Sequence, residues 1–329
     1  MTTKSKWVAL GLVLAVLIAA YIALQLGAVY LREPLQILTQ RAADPLAYSI
    51  LTEIRIPRVV IAVLAGFAIG MAGLLAQSAF TNPIAEPSII GASGGAALGS
   101  ALALAAGAIA PWQIGLAAIT GAGLFVTATY LLSVKRGQLS GYRFIVVGIA
   151  ISAVAVALTG FIAALNTGSG RSILFWTLGS LALARPEQIP VLAIFVVASI
   201  ALSVRVMNQL DLLNFGDDYA RINGIDVKHL RARAVLLIAV LIGVSVSAVG
   251  IVAFLGLAAP HIARSLVGYR NKNLLLPTGL IAALLLLVGD TLARNVLAPT
   301  ELPLTIFVAI ISAPILIIAA RRTVIDERR

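Results

Sequence analysis

The chain has 329 residues, of which 60% are hydrophobic and 11% are charged, and it carries a formal net charge of +11. A soluble domain would contain about 25% charged residues, and intrinsic disorder requires low hydrophobicity, so the composition excludes both classes. The isoelectric point near 10.5 could indicate nucleic-acid binding. The 24 Lys and Arg residues, however, lie in short clusters between apolar runs. We therefore predict contact with membrane lipid and none with nucleic acid.

The first apolar run follows Lys4 and Lys6 and ends near residue 30, so it is longer than the apolar region of about 7–15 residues in a signal peptide. We interpret it as an uncleaved transmembrane helix. A helix needs about 20 apolar residues to cross the hydrocarbon, where lipid offers no partner to open backbone groups. The short eighth run contains Pro260, which predicts a broken or partial span. The runs predict one transmembrane domain over residues 1–329, with ten spans near 7–30, 57–80, 89–110, 112–134, 143–165, 188–206, 232–252, 254–268, 274–298 and 303–320.

The basic residues predict the orientation of these spans. When the spans alternate across the membrane, most Lys and Arg residues fall on the side of the N-terminus, which the positive-inside rule places in the cytoplasm. An even number of spans returns the C-terminus to the same side. Arg55, Arg58 and Arg294 belong to the minority on the outer face.

Two polar stretches predict departures from ordinary lipid-facing helix. Two prolines and a carboxylate in 82–87, followed by the glycine-rich 91–95, predict a chain break at an inner helix end, or a plain turn beside a packing face. In the longest polar loop, about 208–233, Asp217 and Asp218 suit a helix N-terminus and Gly224 could end that helix. The loop predicts two short helices on the cytoplasmic membrane face, or a solvated connector.

Further along the chain, Asp290 and Arg294 have the spacing of an intrahelical ion pair. The absence of cysteine, with only His229 and His261 as histidines, gives no basis for a metal site. We find no P-loop, no zinc-protease motif and no nucleophile–base set, so we predict neither catalytic residues nor an enzyme. Ionisable residues are nearly absent from the spans, which weighs against an ion-coupled secondary transporter.

A series of short motifs, in this order and spacing, resembles the permease subunits of binding-protein-dependent ABC importers for iron–siderophore complexes, haem and cobalamin. The resemblance extends from about residue 50 to 320. The motifs are Arg55-Ile-Pro-Arg58, Gln77 through Asn82-Pro-Ile-Ala-Glu-Pro87, Gly91-Ala-Ser-Gly-Gly95, Trp176-Thr-Leu-Gly-Ser180, Gly216-Asp-Asp-Tyr-Ala-Arg221, Gly256-Leu-Ala-Ala-Pro-His-Ile-Ala-Arg264, Asp290-Thr-Leu-Ala-Arg294 and Glu301-Leu-Pro303.

The resemblance implies an all-α polytopic membrane protein with the type II ABC importer permease fold, about ten helices and inverted five-helix-like repeats. It implies a location in the bacterial cytoplasmic (inner) membrane. The implied partners are two cytoplasmic ATPase subunits, an extracytoplasmic solute-binding protein, and a second copy of this permease or a homologous one. ATP and Mg would bind to the ATPases, and this chain would hold no cofactor.

The resemblance also implies roles for individual residues. Arg55, Arg58 and Arg294 match outer arginines that face acidic residues of the binding protein, which agrees with their position on the outer face. The ATPase-coupling element matches Gly216, Asp217, Asp218, Arg221 and Gly224. Two cytoplasmic constrictions and a pore-lining fifth span match Asn82, Ile84, Ser140, Gly141, Tyr142, Gly148 and Ser152, although Gly141-Tyr142 departs from the small hydroxyl residues of some relatives.

Ferric siderophore is the expected solute because it is the commonest in the family. Haem and cobalamin remain open, because the predicted pathway carries no ligand residue that distinguishes the three solutes. The sequence also leaves open the choice between a homodimer and a heterodimer. An ion-coupled secondary transporter is the more distant alternative.

Overall fold

The computed structural model describes residues 3–39, 44–135, 138–139, 141–165, 178–182 and 184–314. The predicted gate residue Ser140 and the pair Trp176-Thr177 lie outside the described residues. A π-helical turn, Ile50–Arg55, joins α3 to α4, and two short strands, β1 (Val134–Lys135) and β2 (Gln138–Leu139), pair antiparallel. The helices are α1 (Thr3–Gln25), α2 (Pro34–Thr39), α3 (Pro45–Ser49), α4 (Ile56–Ala79), α5 (Ala92–Ala105), α6 (Pro111–Ser133), α7 (Gly141–Leu165), α8 (Gln188–Leu213), α9 (Asp217–Ile222), α10 (Val227–Val249), α11 (Leu255–Val267), α12 (Asn271–Asn295) and α13 (Leu304–Pro314).

The all-α fold class is confirmed, and each of the ten predicted spans coincides with a helix. Within the described residues, seven helices are long and apolar enough to cross a membrane, and the third, eighth and tenth spans correspond to the shorter α5, α11 and α13. The prediction of a full third span is therefore wrong, whereas the eighth was predicted to be short. The third and eighth predicted spans are only 14 and 13 residues long as helices, about two thirds of the roughly 20 residues that the hydrocarbon requires.

Helix α4 lies at the centre of the bundle and packs closely against α12. Its glycines permit the approach, because a Cβ on Gly66 would lie 2.7 Å from the Ala283 Cα and one on Gly70 would lie 2.9 Å from the Thr278 carbonyl oxygen. Small residues play this part in membrane bundles, where helix association depends on close packing. Helices α1 and α7 are mostly exposed in the single chain.

The segment 80–91, which precedes α5, folds back into the bundle instead of crossing its surface. Ser152, near the middle of α7, donates a hydrogen bond to the Ser88 carbonyl oxygen at 2.8 Å. A Cβ on Gly148, one turn earlier, would lie 2.4 Å from the Ile89 carbonyl oxygen. The chain break predicted here is present, but it reaches the middle of a span, and α5 begins inside the bundle.

The segment 250–254 does the same before α11, and the two helix beginnings meet where Pro87 lies against Gly256. The prediction of a broken or partial eighth span is confirmed as a partial span of 13 residues, but no break occurs at Pro260: α11 continues through that residue and the irregular chain precedes it. Proline cannot donate to the carbonyl four residues earlier. Gln77 Nε2 donates to that carbonyl, of Gly256, at 3.4 Å, which compensates for the missing bond.

The ten main helices form two consecutive sets of five, and the third helix of each set is short. The first set is α1, α4, α5, α6 and α7, and the second set is α8, α10, α11, α12 and α13. α11 runs alongside α4 toward the α4 C-terminus, with Gly256 against Gly73 and Arg264 bonded to Gln77. α5 starts at the same level and runs away from that C-terminus. The two short helices, α5 and α11, therefore point in opposite directions, as inverted repeats require.

Candidate functional site

Charged and polar residues concentrate at the two opposite ends of the bundle. We call the end that carries Arg55, Arg58 and Arg294 the arginine end. We call the other the coupling end, which consists of α9, the first turns of α10 and the C-terminus of α4.

At the arginine end, Arg58 lies in the first turn of α4 and binds two carboxylates with its whole guanidinium. Nε and Nη2 donate to Asp290 of α12 at 2.7–3.1 Å, and Nη1 and Nη2 donate to Glu301 at 2.8 and 3.0 Å. Arg58 is 5% exposed and Asp290 is 1% exposed. The cluster therefore joins α4 to α12 and to the chain after α12 through a shielded, planar Arg–carboxylate fork.

The other two arginines satisfy the carbonyls at the end of α1. Arg55 Nη1 donates to the carbonyl oxygens of Leu24 and Gln25 at 2.6 and 2.8 Å, and Arg294 Nη2 donates to that of Ala23. The last four carbonyls of a helix lack helical partners, and cations are favoured there. The predicted Asp290–Arg294 pair is long, with Nε 4.0 Å from Oδ2, because Arg58 holds the carboxylate.

The structure thus brings the three predicted docking arginines together at one end of the bundle. All three are buried in the single chain, and their guanidiniums contact internal acceptors. The two carboxylates that Arg58 binds lie in motifs that carry the resemblance. One signal in the sequence could have predicted this cluster. Arginines lie on the outer face, where the positive-inside rule expects few basic residues, and two carboxylates lie on the same face.

At the coupling end, α9 is a short helix between two glycines in left-handed or related conformations, Gly216 (φ 101°) and Gly224 (φ 78°). The short helix and the glycine break were predicted correctly. The second short helix is wrong, since Asp226 caps the start of the 23-residue α10, which continues into the bundle. The Asp226 side chain accepts from the His229 backbone N–H at 3.0 Å, and this bond, with the His229 ring beside it, lowers the pKa of Asp226.

The two aspartates that begin α9 have different environments. Asp218 is exposed and pairs with Arg221 at 3.1 Å, an arrangement that contributes little in water. Asp217 accepts two hydrogen bonds from Arg231 of α10, at 2.7 and 2.8 Å. Sequence reasoning missed Arg231, because it lies in a cluster of basic residues that the positive-inside rule already explains.

An apolar patch lies on the exposed surface of α9 and of the residues just before it. Phe215, Tyr219 and Ile222 are 73%, 48% and 85% exposed, and the rings of Phe215 and Tyr219 lie 5.3 Å apart. An exposed apolar patch with charged neighbours is typical of a surface that another protein covers.

The predicted gate residues that the structure describes lie near the coupling end. Asn82 follows the end of α4, and its side chain accepts from the Ile84 backbone N–H at 3.1 Å. Tyr142, beside Gly141 at the start of α7, is 79% exposed. The rings of Phe80 and Phe144 are 4.1 Å apart, so they join the two gate segments. Gly148 and Ser152, by contrast, contact the segment 80–91.

Glu86 is a buried carboxylate that the sequence placed at an inner helix end. It is 2% exposed and accepts hydrogen bonds from the Phe254 backbone N–H and the Ser88 hydroxyl, so it joins the two irregular segments. A carboxylate is favoured beside the N-terminus of a helix, here α11. Among the residues that the structure describes, no three His, Asp or Glu side chains come together as a metal ion would require.

The chain matches the model of the FecCD transport family over residues 12–322. It is 35% identical to the ferric enterobactin transport system permease protein FepD of Escherichia coli, over 95% of this chain and 94% of the relative. It is 34% identical to the hemin transport system permease protein HmuU of Yersinia pestis, over 79% and 80%. Other relatives of similar identity are named for Fe(3+) dicitrate and vitamin B12.

Among solved structures, the chain resembles an inward-facing conformation of a metal-chelate type ABC transporter. The TM-score is 0.83 at 27% identity, and the match covers 96% of this chain and 99% of the other.

Proposed function

This chain belongs to the FecCD transport family and is a permease subunit of an ABC importer, and we propose that its solute is a ferric siderophore. The observation that carries the proposal is the identity of 35% over nearly the whole chain to a ferric enterobactin permease. Haem or cobalamin is the second candidate, because relatives named for hemin and vitamin B12 match at 34% and 33%.

The experiment is uptake by the importer assembled in proteoliposomes with its ATPase and binding protein. We expect ATP-dependent accumulation of radiolabelled ferric siderophore, with little haem or cobalamin. Uptake of haem or cobalamin alone would overturn the solute assignment. Gradient-driven uptake by this chain without ATPase would favour a secondary transporter instead.

In this function, the two ends of the bundle serve different partners. The cytoplasmic ATPases, which bind ATP and Mg, cover the apolar surface of α9 formed by Phe215, Tyr219 and Ile222, with Asp218 and Arg221 at its edge. Gly216 and Gly224 allow the chain to turn sharply on either side of α9, because both adopt φ values that other residues avoid. A second permease subunit, identical or homologous, completes the pathway.

The binding protein docks at the arginine end, with acidic residues facing the cluster of Arg55, Arg58 and Arg294. The support is their common location and their excess over Asp290 and Glu301, which leaves the cluster positive. Their burial gives a second role, the stapling of α1, α4 and α12. The exposed Arg32 and Arg185 lie outside the cluster and serve as controls for a general charge effect.

The gate segments Asn82–Ile84 and Gly141–Tyr142 close the solute pathway at the coupling end. Gly148 and Ser152 contribute to the pathway indirectly, because they support the segment 80–91. Both termini lie in the cytoplasm and the chain lies in the inner membrane. Reporter fusions at the two termini test this orientation, and activity of an exported reporter at either terminus would contradict it.

A further inference from the structure

Arg231 is the one side chain in the described structure that bonds both the coupling helix α9 and the end of α4. It is 5% exposed. Two of its nitrogens, Nη1 and Nη2, donate to the two oxygens of Asp217 at 2.7 and 2.8 Å. Its third nitrogen, Nε, donates to the Ala79 carbonyl oxygen at 3.0 Å. The three bonds use the planar guanidinium as a rigid bridge.

On the side of α9, the bridge attaches to a helix that cannot be rigid by itself. α9 has six residues, and isolated helices shorter than about 12–15 residues are marginal in water. It is flanked by Gly216 and Gly224, and Ala220 is its buried residue. Asp217, its first residue, is therefore the point at which a displacement of α9 enters the bundle.

On the other side, the bridge attaches to the last residue of α4, directly before the segment 80–91. The Ala79 carbonyl belongs to the group that has no helical donor at a C-terminus. Thr81 has a left-handed φ of 47°, and the Asn82 backbone N–H donates to the Gln77 carbonyl oxygen at 3.0 Å. The bridge thus ends three residues before Asn82, where helical chain changes to irregular chain.

We propose that Arg231 is the positioning residue that transmits a displacement of α9 to the segment 80–91, and so links the ATPases to the cytoplasmic gate. The proposal rests on the proposed function, in which α9 docks onto an ATPase. A bidentate Arg–carboxylate pair transmits both translation and rotation, because two parallel bonds fix the relative orientation of the two groups.

The absence of cysteine from the chain permits a direct measurement. Ile84, half-exposed in the segment 80–91, is replaced by a single reporter cysteine in the importer assembled with its ATPase and binding protein. The rate of thiol modification is compared without nucleotide and with ATP plus vanadate. Solute uptake and ATP hydrolysis are measured in parallel preparations of each variant that retain Ile84.

The test variants are R231Q, R231K and D217N, and the matched control is R233Q. Arg233 is exposed two residues from Arg231 on the same helix. We expect R231Q to lower the ratio of uptake to ATP hydrolysis about tenfold and to abolish the ATP-dependent change at position 84. R231K, a point charge that cannot form the planar fork, should retain part of both. R233Q should match the wild type.

Normal uptake and a normal ATP-dependent change at position 84 in R231Q would overturn the proposal. If R231Q fails to assemble with the ATPase, D217N decides, because it removes the charge of the partner and leaves the bond to Ala79. A D217N importer with wild-type coupling then overturns the proposal. If the complex that carries only I84C shows no response to ATP, and the wild-type importer takes up none of the tested solutes, the proposed function has failed instead.

Discussion

The two ends of the bundle use the same pair of chemical groups, an arginine and a carboxylate, with opposite mechanical consequences. At the arginine end, Arg58 joins Asp290 and Glu301, and the joined elements are long helices already packed together through Gly66 and Gly70. At the coupling end, Arg231 joins the bundle to a six-residue helix between two glycines. At the arginine end, the Arg–carboxylate fork therefore holds two fixed elements together. At the coupling end, the same kind of fork connects a movable element to the bundle.

The contrast predicts that substitutions at the arginine end reduce stability, whereas substitutions at the coupling end reduce function at constant stability. The most severe test is R58Q. Removing one partner of a buried pair leaves an uncompensated charge, which costs about 3–5 kcal/mol. We expect R58Q to lower the thermal midpoint of the purified permease strongly, whereas R32Q, at an exposed arginine, should change stability by less than about 0.5 kcal/mol. A stable R58Q protein would remove the basis of the comparison.

A second test separates stapling from docking at the arginine end. R294Q removes the bond to the Ala23 carbonyl but leaves Asp290 paired with Arg58, so we expect a smaller loss, about 1–3 kcal/mol. Thermal unfolding measures the staple, and affinity for the solute-binding protein measures docking. Weaker docking at unchanged stability would favour direct contact with the binding protein. A loss of stability alone would limit Arg294 to stapling, and a loss larger than that of R58Q would contradict the expected order of the two effects.

The apolar surface of α9 gives the reverse pattern. Truncating a well-packed anchor residue costs about 2 kcal/mol or more of binding energy, whereas exposed positions contribute little to folding. We expect I222A and F215A to weaken association with the ATPase by at least about tenfold and to leave the thermal midpoint unchanged. I109A is the matched control, because Ile109 is 87% exposed near the opposite end. Equal effects of I109A and I222A on ATPase association would show that α9 is not the docking surface.

The sequence predicted the parts of this comparison that depend on hydropathy and on single residues. The apolar runs located the helices, Gly216 and Gly224 marked the ends of α9, and the outer arginines were recognised as exceptional. Hydropathy could not predict that the segment 80–91 returns to the middle of the bundle. The apolar run that contains a short helix has the same composition as one that forms a full span. The partners Asp290 and Glu301 were in view, but which arginine they bind depends on how α4 packs against α12.

Arg231 shows the limit most clearly. Its partner Asp217 is 14 residues earlier, and no helical spacing joins the two across the turn at Gly224. Its other partner is a backbone carbonyl, which no residue type reveals. Gly148 and Ser152 have contacts that their residue types do not reveal. A glycine and a hydroxyl are compatible with a pathway lining, and in the structure the two residues contact the backbone of residues 88 and 89.

The smallest expected effect concerns the exposed pair Asp226–His229 at the coupling end. The folded chain lowers the pKa of Asp226, mainly through the backbone N–H of His229, so its contribution to stability is present above the ordinary Asp pKa of about 3.9 and is lost as pH falls through the lower folded value. Asn also caps helices but does not titrate. We therefore expect the thermal midpoint of the wild type to fall slightly toward that of D226N on acidification from about pH 6 to about pH 3, while the groups that do not contact Asp226 cancel in the difference. A difference independent of pH would show that the Asp226 cap acts through geometry alone and makes no titrating contribution to the anchoring of α10.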